Sequence, residues 1–499
     1  MSQISVSNMS FYYDGSYDDI FTDVSFQIDT DWKLGFCGRN GRGKTTFLKL
    51  LMGEFEYIGK IIASVDFEYF PFTVSDDTQN TIDILQQIAQ GAELWEIETE
   101  LSKLDVAEDV LNRPFSTLSN GEQTKALLCG LFLRENSFLL IDEPTNHLDM
   151  AGRETVSRYL NSKSGFILVS HDRAFLDDCV DHILSINKAN IEVINGNFTS
   201  WWEQKKRRDA SEIAEDVKLR KDIKRLESAA RQSSSWADKV ESAKMGKGAA
   251  KDRKKGLAGI GSKEYKAEQS KRMQQRRKNL ERRQQTAIDE KSVLLKNIEE
   301  ADNLKIHPLE YHASTLIRAE NLSISYGENI VLHDLNFSLN RGERLALLGG
   351  NGSGKSSVVK LLCGENISHT GTFSIGSRLK ISYVPQESRY LTGDLREYAF
   401  NHGIDESLFM TILRKLDFSR VQFEKDIGDY SAGQKKKVLI ARSLCEQAHV
   451  YIWDEPLNYI DVLSRMQIEE LITTYKPTMI FIEHDRTFCE NIATKMVRL

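Results

Sequence analysis

A stretch of this chain occurs twice. Residues 34–49, Leu-Gly-Phe-Cys-Gly-Arg-Asn-Gly-Arg-Gly-Lys-Thr-Thr-Phe-Leu-Lys, return as residues 345–360, Leu-Ala-Leu-Leu-Gly-Gly-Asn-Gly-Ser-Gly-Lys-Ser-Ser-Val-Val-Lys, an offset of 311. Phe138-Leu139-Leu140-Ile141-Asp142-Glu143-Pro144 returns as Val450-Tyr451-Ile452-Trp453-Asp454-Glu455-Pro456 at 312, and the stretch ending in His171-Asp172 returns as that ending in His484-Asp485 at 313. Three motifs at a near-constant spacing mean two copies of one domain. The expected organisation is residues 1–202, residues 314–499, and an unrelated segment, 203–313, between them.

Within each copy short β-branched runs alternate with helical stretches, and the runs at 167–170 and 479–483 are almost wholly apolar. Such strands belong to a parallel sheet covered on both faces, so the fold class is α/β with a mainly parallel central sheet. A chain of 499 residues exceeds one core, and its 40% hydrophobic and 28% charged content is ordinary for a globular protein. No run of about 18 apolar residues occurs, and the first residues lack a basic stretch followed by an apolar one, so neither a membrane span nor a secretory signal is expected. The six cysteines are scattered without a CxxC pair, which reads as reduced, buried thiols in a cytoplasmic protein.

The repeated motifs carry phosphate chemistry. Gly38-Arg39-Asn40-Gly41-Arg42-Gly43-Lys44-Thr45 and Gly349-Gly350-Asn351-Gly352-Ser353-Gly354-Lys355-Ser356 both fit G-x-x-x-x-G-K-[ST]. Glycines let the backbone curl so that successive N–H groups point inward, and the helix that follows, opening with Thr46 or Ser357, adds its positive end. Lys44 and Lys355 are expected on the β- and γ-phosphates of ATP, Thr45 and Ser356 on Mg²⁺. Asp142 and Asp454 end apolar strands, where a carboxylate meets the Mg²⁺ shell. Glu143 and Glu455 follow, placed to polarise an attacking water. His171 and His484, 28 and 29 residues beyond those glutamates, are expected near the γ-phosphate.

The set resembles the ATP-binding-cassette ATPases. Leu118-Ser119-Asn120-Gly121-Glu122-Gln123 is similar to that family's signature, and Tyr430-Ser431-Ala432-Gly433-Gln434 to a more divergent copy. The resemblance implies two tandem cassettes packed head to tail, each ATP lying between one phosphate loop and the other cassette's signature. It also implies adenine stacking on Tyr13 (or Tyr12) and Tyr326, and Mg²⁺ contact by Gln386. Phe72 stands where cassette one should have that glutamine. Phenylalanine can neither ligate Mg²⁺ nor orient water. The site built on cassette one is therefore expected to hydrolyse ATP more slowly.

Asp142 to Asp149 reads Asp-Glu-Pro-Thr-Asn-His-Leu-Asp, and with two cassettes and no membrane domain the chain resembles the ABC-F group, which acts on ribosomes. Tyr69-Phe70-Pro71-Phe72, Asp454-Glu455-Pro456-Leu457-Asn458-Tyr459, the size and the long insert make it most similar to antibiotic-resistance ribosomal protection proteins of the Lsa type. The 46 residues from Phe72 to Leu118, against 44 from Gln386 to Tyr430, leave almost no room for the extra arm of other members, and only 15 residues follow His484.

Residues 203–300 hold 28 Lys/Arg against 17 Asp/Glu, whereas the whole chain carries −7. Such asymmetry points to a polyanionic partner, the plainer alternative being a solvated helical linker. Ile213, Val217, Ile223, Leu226 and Ala230 are spaced for one long helix, and Leu280, Ala287, Leu294 and Ile298 for its return, an antiparallel coiled-coil hairpin. Lys244, Met245 and Lys247, then Leu257 and Ile260 among glycines, form the expected tip. The resemblance implies that these arms enter the exit-tRNA site of the bacterial ribosome, against large-subunit rRNA and P-site tRNA, with the protein monomeric. It further implies that lincosamide, streptogramin A or pleuromutilin is displaced. A translation regulator without a drug role, the ATPase subunit of a transporter, and a DNA-acting ATPase are the alternatives.

Overall fold

The computed structural model describes residues 3–13, 19–146, 148–186, 191–212, 304–327 and 329–499, with scattered positions, singly or in pairs, between 214 and 282. It forms two compact units, one of Met1–Trp201 with Ala301–Leu499 and one of Trp202–Glu300.

The first unit contains the same α/β cassette twice. In the first copy the strands are β1 (Gln3–Phe11), β2 (Phe21–Asp29), β3 (Lys33–Cys37), β4 (Ile58–Ile62), β5 (Asp66–Phe70), β6 (Ser137–Asp142), β7 (Phe166–Val169), β8 (His182–Ile186) and β9 (Ile191–Asn195). They form a six-stranded sheet in the order β5-β6-β7-β3-β8-β9, parallel except for the β8–β9 pair. A separate antiparallel sheet, β2-β1-β4, which the sequence reading did not foresee, lies beside it.

The second copy has β10 (Thr315–Tyr326), β11 (Asn329–Asn340), β12 (Arg344–Leu348), β13 (His369–Ile375), β14 (Ile381–Val384), β15 (Val450–Asp454), β16 (Met479–Ile482) and β17 (Lys495–Arg498). Its sheets run β14-β15-β16-β12-β17, all parallel, and β11-β10-β13, antiparallel.

Sequence pattern explains this layering. All four residues of β7 and of β16 are buried, as a strand covered on both faces requires. In β1, by contrast, Ile4, Val6, Met9 and Phe11 turn inward while intervening polar residues stay outside, the signature of a sheet with one wet face. Phe47 and Leu48 of the Lys44–Leu51 helix join β3, β6 and β7 to that inner face in one apolar cluster. At about 25 cal/mol per Å², burying such side chains is the main term holding the layers together. Because β3 lies next to β7 and β7 next to β6, the loops leaving their carboxyl ends converge, and ligands of parallel sheets bind at that edge.

The cysteine expectation needs correcting. Cys37, Cys129, Cys179 and Cys489 are buried, but Cys445 is half-buried and Cys363 exposed, because the latter falls just after the Lys355–Leu362 helix, at the surface.

In the second unit, residues 202–212 and the other described positions, including Arg225, Arg272, Lys278 and Arg282, are helical. The apolar seam positions and the tip residues Lys244, Met245, Lys247, Leu257 and Ile260 lie outside the described residues.

Candidate active sites

Each phosphate loop turns directly into a helix. Gly43 and Gly354, at φ 90° and 89°, cap the Lys44–Leu51 and Lys355–Leu362 helices in a left-handed conformation that suits glycine. A side chain at Gly43 would also meet Ile20 at 2.6 Å. Lys44 Nζ donates to the carbonyls of Gly38 (2.7 Å) and Arg39 (3.2 Å), and Lys355 Nζ to those of Gly349 (2.9 Å) and Gly350 (2.7 Å). Both ammonium groups are thus held inside their loops, where phosphate oxygens can accept from them.

The strand-ending carboxylates face those loops. Thr45 Oγ1 donates to Asp142 Oδ2 at 2.9 Å, and the Ser356 hydroxyl bonds Asp454. Asp454 Oδ1 is buried with no hydrogen-bond partner among the described residues. A buried, unpartnered carboxylate oxygen beside a hydroxyl suits a hard divalent cation. Tyr13 and Tyr326 occupy equivalent places: the Tyr13 and Thr46 hydroxyls share a hydrogen bond of 2.9 Å, and Tyr326 donates to Ser357 at 3.2 Å. Tyr13 also stands edge-on to Phe11 and Phe55, beside an open cavity of roughly 610 Å³. Tyr12 lines the same cavity and is half exposed.

The two glutamates differ. Both adopt left-handed backbone, φ 54° at Glu143 and 45° at Glu455, and both are pinned through N–H to the neighbouring strand, at Val169 and Ile482. His171 Nε2 lies 3.3 Å from Glu143 Oε1, and His484 Nε2 lies 3.5 Å from Glu455 Oε1. Glu455 Oε2 also accepts from Gln386 Nε2 (2.8 Å) and Asn458 Nδ2 (2.7 Å). Burial pushes its carboxyl up, yet the nearby His484 and the bond from Gln386 outweigh that and leave it below its ordinary value. Glu143 has a histidine at similar distance but, among the described residues, no amide donor: burial, then the adjacent Asp142, push its carboxyl above the ordinary value.

Strand register explains the difference. Phe70 pairs with Ile141 as Val384 pairs with Trp453, so Phe72 and Gln386 fall at equivalent positions two residues on. Gln386 reaches Glu455 through its nitrogen, leaving its carbonyl as the oxygen it can offer a cation. In cassette one a different group reaches the carboxylates: Tyr69 donates to Asp142 Oδ2 at 3.0 Å.

The cassettes touch head to tail. Asn40 Nδ2 donates to the Tyr459 carbonyl at 2.8 Å, and Arg39 pairs with Asp417 at 3.7 Å. Gly433 sits against the same carbonyl, where an added Cβ would lie 2.4 Å from it and 3.2 Å from Asn40 Nδ2. Phosphate loop one therefore adjoins signature two. In the other half-site Asp149 Oδ2 approaches Gly350. Ser119 and Glu122 form a capping box on the Asn120–Phe132 helix, as Ser431 and Gln434 do on the Ala432–Cys445 helix. Gly433 is buried, Gly121 only half-buried, and Asn120 and Ala432 are exposed. Phosphate loop two is also more open: Gly350, Asn351 and Gly352 are exposed, whereas Arg39 is buried.

A family model described as ABC transporter matches residues 21–146 and 332–458, one match in each copy and together just over half of the chain. The chain is 28% identical to the "Putative ATP-binding protein YdiF" of Bacillus subtilis (strain 168), covering 97% of this chain and 78% of that one. It is 26% identical to the same organism's "Ribosome protection protein VmlR" (98% and 85% covered). It is 25% identical to the "Energy-dependent translational throttle protein EttA" of Escherichia coli (strain K12) (96% and 89% covered). Among solved structures, an archaeal ribosome recycling factor, aABCE1, complexed with a ribosomal stalk protein superposes with TM-score 0.61 at 18% identity, covering 96% of this chain and 84% of that one, which shows the shared fold. The chain therefore belongs to the ATP-binding-cassette family, at the level of its ABC-F ATPases. It binds ATP and hydrolyses it to ADP and phosphate.

Sequence reasoning passed over several residues of the sites. Asp149 and Asp461 each stand seven residues past an Asp142 or Asp454, a repeated spacing that could have flagged them. Each caps the helix that follows, and Asp461 is buried in an ion pair with Lys437 at 2.8 Å. The Tyr459 carbonyl carries no sequence signal, since backbone acceptors are common to all residues.

Proposed function

We propose that this protein is a ribosome-binding clamp whose two cassettes, residues 1–202 and 314–499, close on two ATP molecules and set the position of the basic linker between them, residues 203–313. Each ATP lies on one phosphate loop and the opposite signature, with adenine on Tyr13 or Tyr326. Mg²⁺ is held by Thr45 and Asp142 in one site, and by Ser356, Asp454 and Gln386 in the other, and supplies charge neutralisation at the phosphates. Glu143 and Glu455 act as bases toward water, with His171 and His484 beside the γ-phosphate.

The observation that carries the ribosomal reading is near-full-length similarity to a ribosome protection protein and a translational throttle, combined with the basic insert. Lys and Arg along a rod suit a phosphate-lined channel, since phosphate contacts need shape and charge, not base sequence. The arm enters the exit-tRNA site of the bacterial ribosome, and its tip, Lys244 to Ile260, reaches toward the peptidyl-transferase centre and P-site tRNA. Drug release there makes this an antibiotic-resistance factor of the Lsa type, acting as a cytoplasmic monomer without a membrane partner.

The test is the Glu143→Gln/Glu455→Gln double variant. With ATP it should co-sediment with ribosomes; sedimentation apart from them overturns the reading. Lincosamide, streptogramin A and pleuromutilin susceptibility with and without the gene then separates drug protection from the second reading, translation regulation, which the similarity to the throttle protein supports.

A further inference from the structure

Cassette two contains a buried pair of charged residues that cassette one lacks. Lys436, 2% exposed, and Glu483, 3% exposed, occupy the positions of Thr124 and Ser170. Lys436 Nζ donates to the Pro385 carbonyl at 2.9 Å and to the Glu455 carbonyl at 3.0 Å. Glu483 Oε1 accepts from Leu457 N–H at 2.8 Å, and Oε2 from His484 N–H at 3.2 Å.

We propose that Lys436 is a positioning residue for hydrolysis in cassette two: its ammonium joins the peptide before Gln386 to the peptide of Glu455 and so fixes the distance between those two side chains. The inference rests on Glu455 being the base proposed above.

Three observations carry it. The ammonium is almost fully buried and both its acceptors are backbone carbonyls, so it ties two stretches of main chain rather than a mobile side chain. It joins the two segments whose side chains meet, Gln386 on Glu455 at 2.8 Å. Finally, both members of the device are missing together in cassette one: Phe72 replaces the glutamine and Thr124 the lysine, and a threonine hydroxyl is too short to span two peptides. The left-handed Glu143 and its bond to Val169 form there regardless. The lysine is therefore not required to build the turn, and its effect falls on the placement of the base. Glu483 holds the same segment from the other side, through Leu457 and His484, and supplies a compensating charge.

The test uses the full chain with Glu143→Gln, so that turnover reports the cassette-two site. Lys436→Met should lower kcat by roughly ten- to a hundredfold, the cost of a base displaced by a fraction of an ångström to an ångström, with KM for ATP within about twofold. Because the methionine variant removes a positive charge from the surroundings of the buried Glu483, a second variant, Lys436→Met/Glu483→Gln, is measured for thermal midpoint and kcat. It should recover the midpoint while kcat stays low. Recovery of kcat together with the midpoint, or a change confined to KM, overturns the proposal. A Glu143→Gln/Glu455→Gln control that still turns over ATP would instead overturn the assignment of Glu455.

Discussion

Gln386 donates its side-chain amide to Glu455 at 2.8 Å, whereas the equivalent position beside Glu143 is Phe72. Neighbouring donors thus hold the Glu455 carboxyl below its ordinary value, whereas burial and the adjacent Asp142 push that of Glu143 up.

The first prediction concerns this inequality. Glu455→Gln should remove most of the steady-state ATPase activity, and Glu143→Gln a minority of it. Turnover measured for the two variants side by side checks it, and equal losses would refute the asymmetry.

The hydrogen bond from Asn40 of cassette one to the Tyr459 carbonyl of cassette two depends on the glycine at 433, which packs against that carbonyl within cassette two. An alanine there would place a methyl 2.4 Å from the Tyr459 carbonyl, a fixed backbone atom that cannot move aside cheaply. Gly433→Ala should lower turnover at the cassette-one site, read in a Glu455→Gln background, by roughly tenfold or more. A variant with unchanged turnover would show that this contact does not form during the cycle.

Lys437 and Asp461 form a nearly inaccessible ion pair, 5% and 0% exposed. Asp461→Ala leaves the lysine buried with the Leu416 carbonyl as its other acceptor. It should destabilise cassette two by about 3–5 kcal/mol, seen as a lower denaturation midpoint. Lys437→Met/Asp461→Leu, with neither charge present, should recover much of that loss.

Acid should weaken one ionic cluster in cassette one. Burial pushes Glu100 up, but hydrogen bonds from Lys103, Lys163 and Tyr159 outweigh it and bring the carboxyl to about 2, from an ordinary 4.5. A depressed carboxyl stabilises the fold fully above the unfolded value, and that stabilisation fades as pH falls from 4.5 toward 2. The stability difference between the protein and Glu100→Gln should be on the order of 2 kcal/mol near neutrality and shrink below about pH 4.5. A difference independent of pH would refute the assignment.

Much of the fold and of each half-site was legible because the signals are local. A glycine loop must precede a helix to present its N–H groups, and an apolar strand must end before its carboxylate can face that loop. Duplication then doubled every signal. The antiparallel sheets β2-β1-β4 and β11-β10-β13 were missed because their strands carry mixed burial and pair across tens of residues. Lys436 was invisible for a similar reason: in sequence it is one of three consecutive lysines on a helix, and only packing turns it inward while Lys435 stays half-buried.

The sequence by itself determined that this chain contains two phosphate-loop domains of α/β class, separated by a basic segment, and that cassette one lacks the glutamine. These follow from residue type and spacing, which act over a few turns of chain. The tertiary structure alone decided which halves meet. Asn40 reaches the Tyr459 carbonyl across 419 residues of chain, and Gly433 lies against both groups with no room for a side chain. Contacts of that kind depend on the close packing of two finished surfaces, where a single methyl changes the outcome, and no local pattern in the chain encodes them.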